Sequence, residues 1–265
     1  MSPAAGAGEV RRSVAGGVAT ITIDNPATRN AMTAEMYRAI PPLFAEVAAD
    51  PAVRVAVLTG AGGTFCSGAD IGQLDRIGHG ENDLPTLAEE AIAACPKPVI
   101  AAIRGHCYGG GCQLAAACDL RIAADDARFA ITPAKLGVVY PVSALRRLVR
   151  LAGAARVKYL VYTADAIDAE RALREGFYTE VVPGAALAER VAGLTAVIGS
   201  RSQFTVHATK DILDRIDGGA LTPERVAHWR SAMWAAGDLD EGVAAFEERR
   251  APGFPWTGSA AHPDG

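Results

Sequence analysis

Two glycine-containing stretches hold residues whose types and spacing suit chemistry on a ligand oxygen. One is TGAGGTFCSGADIGQL, Thr59 to Leu74, and the other is RGHCYGGGCQLAAACD, Arg104 to Asp119. Each follows an apolar run, Val53 to Leu58 and Pro98 to Ile103, that reads as a buried strand. In the second stretch Gly109, Gly110 and Gly111 open a segment rich in alanine and leucine, Cys112 to Cys118. Glycines between a strand and a helix let the backbone turn sharply and bring bare N–H groups close to a ligand. The first N–H groups of a helix have no intrahelical partner and lie at the positive end of its dipole. Two such turns can present two N–H groups to one oxygen that carries or develops negative charge. Tight packing of helix on strand is the other use of three glycines, and the second stretch alone leaves both readings open.

The elements that must position these turns follow from periodicity. Glu9 to Arg12 and Val18 to Ile23 read as strands joined at Gly16-Gly17, a hairpin. Thr33 is placed as an N-cap, before a helical stripe of Met36, Ile40, Leu43, Phe44 and Val47. Gly72 to Asp83 is polar and glycine-rich, and is expected as a mobile loop. His79 within it reads as solvated, and Asp70 as structural. Leu84 to Ala94 reads as a helix ended by Pro96 and Pro98. Short strands are expected at Leu120 to Ala123, Arg128 to Ile131 and Glu180 to Val182. Helices are expected at Val142 to Leu151, Ala154 to Tyr162, Asp168 to Glu175, Ala186 to Gly199, Ser202 to Ile216 and Pro223 to Trp234. Alternating strands and helices with a helical end predict an α/β core with an α-helical tail.

The chain of 265 residues is half hydrophobic and carries a net charge of −4, which argues against disorder and against a nucleic-acid partner. No apolar run approaches the ~20 residues of a membrane span. The first residues, MSPAAGAGEV, lack the basic and apolar regions of a signal peptide. The five cysteines have neither zinc-type spacing nor a disulfide framework. A cytoplasmic, reduced protein with no metal and no membrane partner is the expectation.

FCSGADI, then GHCYGGGCQL, then CDLRIAADDARFAITPAKLG together resemble the crotonase (enoyl-CoA hydratase/isomerase) superfamily, in family order from about Val18 to Arg250. The resemblance implies a spiral of ββα units over residues 9–200, a helical C-terminal trimerisation region over 201–256, and flexible termini at 1–8 and 257–265. It implies a homotrimer or hexamer, an acyl-CoA substrate and no cofactor beyond the coenzyme A of that substrate. The family's oxyanion hole corresponds to the N–H groups of Ala69 and Gly110. Substrate contacts are implied at Arg29, Ala31, Ser67, Gly68, Ile71, Tyr108, Gly109 and Ala134. For Arg29 the alternatives are a coenzyme A phosphate or adenine contact and a solvated charge. Arg249 and Arg250, in the tail AAFEERRAPGF, either help cover coenzyme A or end a helix in solvent.

Hydratases of this family carry two glutamates that hold water and move its protons. At those positions stand Gln113 and, counted on the family's Phe-x-x-Pro-Glu pattern, Ala134. An amide or a methyl group does not exchange a proton near neutral pH, so hydration should be lost or slow. Asp125 and Asp126 read as a solvated turn. An enolate held by the two N–H groups still serves decarboxylation of a malonyl-CoA-type thioester. TPAKLGVVYP and the FEERRAPGF tail are similar to the methylmalonyl-CoA decarboxylase branch, which has a tyrosine at the position of Tyr140 and an aromatic residue at that of Tyr108. That branch departs from this chain at Ala69 and Gln113. The leading expectation is therefore an acyl-CoA decarboxylase, a carbon–carbon lyase, using Ala69, Gly110, Tyr140 and Gln113. Hydratase/isomerase-type activity with an atypical site, or an acyl-CoA-binding relic without chemistry, are the alternatives.

Overall fold

The computed structural model describes residues 8–79 and 82–258. The expectation of loose termini therefore lies outside the described residues, save for Gly8, Thr257 and Gly258. Strands β1 (Glu9–Ala15) and β2 (Val18–Asp24) form the expected hairpin. Its turn needs positive φ at both central residues, and Gly16 and Gly17 supply +57° and +78°. Strands β3 (Val55–Gly60), β4 (Val99–Ile103), β6 (Leu120–Ala124) and β9 (Glu180–Val182) continue the sheet in the order β1-β2-β3-β4-β6-β9, every pair after the first being parallel. All five residues of β4 are buried, as a parallel sheet covered on both faces requires.

One face of that sheet packs on helices α1 (Ala34–Ala49), α2 (Leu84–Ala93) and α3 (Gly110–Ala117), through Ile21, Leu58, Ala101, Phe44, Ile92 and Leu114 among others. The other face, with Val55, Val57, Ile100 and Ile122, is covered by Leu187 and Val191 of α7 (Leu187–Gly199). Thr33 caps α1 as expected, its hydroxyl accepting from the Met36 N–H at 3.2 Å. A second sheet, in the order β8-β7-β5, joins β5 (His106–Tyr108), β7 (Arg128–Ala130) and β8 (Ile167–Asp168). It lies immediately before the triple glycine and sets where α3 begins. Helices α4 (Val142–Ala152) and α5 (Ala154–Thr163) fill the chain between β7 and β8, and α6 (Ala169–Arg174) lies between β8 and β9.

The stretch expected as a mobile loop has more local structure than its composition suggested. It holds one helical turn, Leu74–Ile77, and a pairing of Gly78–His79 with Asn82–Asp83. Ile77 is buried, which anchors that turn to the core. Past residue 200 come α8 (Gln203–Gly218), α9 (Pro223–Ala235) and α10 (Asp238–Glu248), one helix more than the periodicity gave. Gly237, at φ +78°, separates the last two. Of the large apolar residues on α9, Val226, Trp229 and Met233 are covered and only Trp234 is exposed. Trp229 is buried edge-on against Phe204 at 5.5 Å, because α8 and α9 form a small apolar cluster of their own.

Candidate functional site

The first glycine turn is held from two sides. The Cys66 N–H donates to the His106 carbonyl at 2.8 Å, and the Tyr108 N–H donates back to Cys66 at 3.0 Å. On the other edge, the Met32 N–H donates to the Gly68 carbonyl at 2.8 Å and the Asp70 N–H to the Met32 carbonyl at 2.9 Å. In an extended chain alternate N–H groups face opposite ways. With Gly68 and Asp70 both turned toward Met32, the Ala69 N–H faces away from it. The buried Asn30 side chain fixes this arrangement. Its amide nitrogen donates to the Ala61 and Thr64 carbonyls at 2.9 and 2.6 Å, and its oxygen accepts from the Asn25 N–H at 2.8 Å. Asp70 is structural, as expected, accepting from the Gly72 N–H.

The second turn begins with Gly109 at φ +48° and ψ −115°, a backbone conformation in effect reserved for glycine. Its N–H donates to the Ala130 carbonyl at 2.9 Å. Its carbonyl accepts from the Tyr140 hydroxyl at 2.6 Å and the Gln113 N–H at 3.2 Å. The carbonyl and N–H of a trans peptide point in opposite directions. The Gly110 N–H, on the same peptide, is therefore aimed away from Tyr140. Neither the Ala69 nor the Gly110 N–H has an acceptor among the described residues. The space that a Gly110 side chain would occupy is 3.4 Å from the Ala69 nitrogen, and that of a Gly68 side chain is 3.6 Å from the Gly110 nitrogen. The two donors are thus within the span that one oxygen bridges with two ordinary hydrogen bonds. A methyl group at Gly110 would also lie 2.2 Å from the Tyr37 hydroxyl.

Around this pair the structure gathers most of the expected residues. Gly68 and Gly109 are buried, Ser67 donates through its hydroxyl to the Thr28 carbonyl, and Ala31 and Tyr108 are half-buried. Burial raises the pKa of Tyr108, whose ring sits edge-on to His106 at 4.9 Å. Arg29 is exposed at φ +56°, where the turn before α1 presents it to solvent. Ile71 is 65% exposed, a large apolar side chain open beside the pair. Arg250, in contrast, is paired with Glu241 and Glu248 within its own tail. Asp125 and Asp126 are exposed, with Asp126 bonded to Arg104.

Two expectations need correction. Ala134 is exposed in the short turn Pro133–Lys135. Counted strictly from Phe129, Phe-x-x-Pro-Glu puts the glutamate position at Pro133, which is buried. Neither residue bears a carboxylate, so the absence stands. Tyr140 is buried with its hydroxyl proton given to Gly109, so it braces the turn instead of offering that proton to a leaving carboxylate. Burial raises its pKa well above the phenolic range, which keeps it a donor.

Sequence reasoning missed a set of buried polar atoms behind the Gly110 turn. Gln113 is buried and its amide nitrogen has no hydrogen-bond partner. Beside it is Glu89, on the inner face of α2 and 0% exposed. Neither Glu89 oxygen makes a well-aligned hydrogen bond, although Ser143, Arg147 and Gln113 all present polar groups to it. The Arg147 guanidinium comes within 3.0 Å of Oε1, off the line of its N–H. Burial pushes the Glu89 carboxyl up to about 7, with Ser143, Arg147 and Gln113 pulling the other way. The Tyr37 hydroxyl is buried and also without a partner. A signal was present: Leu84, Ala88 and Ile92 define the inner stripe of α2, and Glu89 is three residues before Ile92 on that same side. Among the described residues no cluster of histidine, cysteine, aspartate and glutamate suits a metal ion, and no helix is long and apolar enough to cross a membrane.

Two glycine turns, each following a strand with parallel neighbours, thus bring together two N–H groups that have no acceptor among the described residues, an arrangement that suits an oxygen bearing negative charge. The enoyl-CoA hydratase/isomerase family model matches residues 13–258, and the chain belongs to that family. It is 33% identical to (E)-benzylidenesuccinyl-CoA hydratase of Thauera aromatica, over 92% of this chain and 98% of the relative. It is 32% identical to the peroxisomal Delta(3,5)-Delta(2,4)-dienoyl-CoA isomerase of Arabidopsis thaliana, over 92% and 95%. A crystal structure of an enoyl-CoA hydratase/isomerase family member superposes with a TM-score of 0.90 at 40% identity, covering 95% of this chain and 98% of that one.

Proposed function

We propose that this chain is a hydratase/isomerase-type enzyme that moves a proton at the carbon beside an acyl-CoA thioester. The carrying observation is the pair of N–H groups at Ala69 and Gly110, close together and without an acceptor among the described residues. Removing the α proton leaves an enolate, whose charge falls largely on the thioester oxygen. Two donors fixed in advance stabilise that charge without reorganising. A double-bond shift needs only one acid–base group, whereas hydration needs a water held by carboxylates. Gln113 and Pro133 do not supply them, so isomerisation of a 3-enoyl-CoA to a 2-enoyl-CoA is the favoured form. The names of the relatives, a hydratase and an isomerase, support this class. The decarboxylase reading gave the Tyr140 hydroxyl the leaving carboxylate to orient, and that hydroxyl donates to Gly109 instead.

The test is turnover on trans-3-hexenoyl-CoA, crotonyl-CoA and methylmalonyl-CoA. Isomerisation is expected to be fastest, hydration slow and CO₂ release at the blank. Faster CO₂ release than isomerisation restores the decarboxylase. Tight binding of all three with no turnover leaves a binding protein. Gly110→Pro removes one donor and is expected to lower turnover ~10²–10³-fold.

A further inference from the structure

We propose that Glu89 is the acid–base residue of this site, delivered from helix α2 in place of the glutamates absent from α3 and the Pro133 turn. This rests on the enolate reading above. Four elements bring buried polar atoms without an aligned hydrogen bond to the start of α3: the Tyr37 hydroxyl from α1, both Glu89 oxygens from α2, the Gln113 amide nitrogen from α3 and the Arg147 Nη1 from α4, the last 3.0 Å from Glu89 Oε1. Folded proteins rarely leave a buried polar atom unsatisfied, because each costs its full desolvation, and such groups gather where a ligand or reacting atom completes them. Here the atoms lie along the helix turn that Gly110 opens, Tyr37 against Gly110 itself and Glu89 against Gln113. The Tyr37 hydroxyl lies against Gly110, close enough to forbid even a methyl group there. Helical side chains lean toward the N-terminus, so Gln113 reaches back along α3 toward Gly110, and Glu89 meets its amide.

The electrostatics suit proton transfer. The groups facing Glu89 are Arg147 and Ser143 of α4, Gln113 of α3, Tyr37 of α1, Tyr140 ahead of α4, and Glu90 on its own helix. Burial is the largest influence and favours the neutral acid, while Arg147 holds the ionised form within reach. A carboxyl balanced near neutrality gives and takes a proton at comparable cost.

In the forward step the Glu89 carboxylate takes the proton from Cα of a 3-enoyl thioester. The C–H electron pair moves into the conjugated enolate, with the thioester oxygen held by Ala69 and Gly110. The neutral acid then returns the proton to Cγ, and the electrons relocate to form the Cα–Cβ double bond. No oxidant, metal or water enters the balance.

The experiment is deuterium wash-in at Cα of butyryl-CoA in D₂O, followed by mass spectrometry, with binding of butyryl-CoA measured beside it. Wild type is expected to exchange, with a rate that rises through one ionisation near neutral pH. Glu89→Gln is expected to bind butyryl-CoA normally, exchange ~10²–10⁴-fold more slowly and lose that ionisation. Glu89→Asp, which keeps the acid but retracts it, is expected to fall between the two and keep it. A folded Glu89→Gln that exchanges within threefold of wild type overturns the role of Glu89 and leaves the enolate reading standing. A wild-type rate flat from pH 5 to 9 overturns it without recourse to any variant. Wild type that binds butyryl-CoA but exchanges nothing overturns both.

Discussion

Of the carboxylates that face arginines in this chain, Asp211 and Glu89 differ most in how they are held, and the contrast between them separates structure from chemistry. Asp211, on α8, is fully satisfied. It accepts from Arg225 Nε at 2.6 Å and Nη2 at 2.8 Å, from Trp229 Nε1 at 2.7 Å and from Arg215 Nε at 2.9 Å. Burial pushes its pKa up, but those hydrogen bonds outweigh burial and hold it well below the usual carboxylate range. Glu89 is more deeply buried and meets its arginine without an aligned bond, so burial wins. Proximity to a cation therefore does not decide ionisation; donor count and alignment do. The satisfied carboxylate ties α8 to α9. The one without an aligned bond sits against Gln113, on the helix that Gly110 opens.

Exchanging each acid for its amide is the sharpest way to break the contrast. Glu89→Gln should cost most of the exchange activity, as argued above, with thermal stability unchanged or improved. Asp211→Asn should do the reverse. It removes the carboxylate that the Arg225 guanidinium, only 5% exposed, donates to, and breaking one such buried pair costs about 3 kcal/mol. Urea unfolding measures that loss, and butyryl-CoA exchange should stay within twofold of wild type. A catalytic collapse in Asp211→Asn with stability intact would erase the distinction.

The two acids also oppose each other in pH. The Glu89 carboxyl, raised from 4.5 to about 7, binds its proton more tightly folded than unfolded. Its contribution to stability therefore falls as pH rises from about 4.5 to about 7, by something on the order of 2 kcal/mol. The Asp211 pKa is lowered, so its contribution is complete above the unfolded value and is lost as pH falls below it. Unfolding free energies of Glu89→Gln minus wild type should grow between pH 4.5 and 7. Those of Asp211→Asn relative to wild type should recover in acid. Matching slopes for the two variants would contradict both assignments.

Smaller effects sharpen the same comparison. Arg147→Met removes the cation that lowers the Glu89 pKa, and should move the ionisation in the exchange profile upward by about one unit. Tyr140→Phe deletes the bond to Gly109 but leaves the one from Gln113. It should cost about 1 kcal/mol of stability and less than tenfold in exchange. A loss as large as that of Glu89→Gln would move Tyr140 into the reacting groups.

The two glycine turns were legible before the fold was known because what they offer a ligand is made by backbone. Only glycine accepts the conformation at Gly109 or the closeness of Tyr37 to Gly110, so the sequence advertises the device. Side-chain chemistry advertises itself less. Glu89 is far in sequence from both turns, and a glutamate in a helix is by default solvated. Only packing against α3 and α4 shows that it points inward. The small sheet around β5 was invisible for a similar reason, since its short strands are defined by each other. The last helix was missed because Gly237 and the charged run after it resemble a tail.

The peptide joining Gly109 to Gly110 has two working ends. Its N–H has no acceptor among the described residues and in the proposed reaction takes the thioester oxygen, while its carbonyl accepts from a tyrosine 31 residues further along the chain. Hydrogen bonds in series strengthen one another, so a bond accepted at the carbonyl makes the N–H a better donor. The strength with which this enzyme grips an enolate is thus adjustable from outside the pocket. A change at position 140 retunes reactivity through the amide itself, leaving every surface that recognises the substrate as it was.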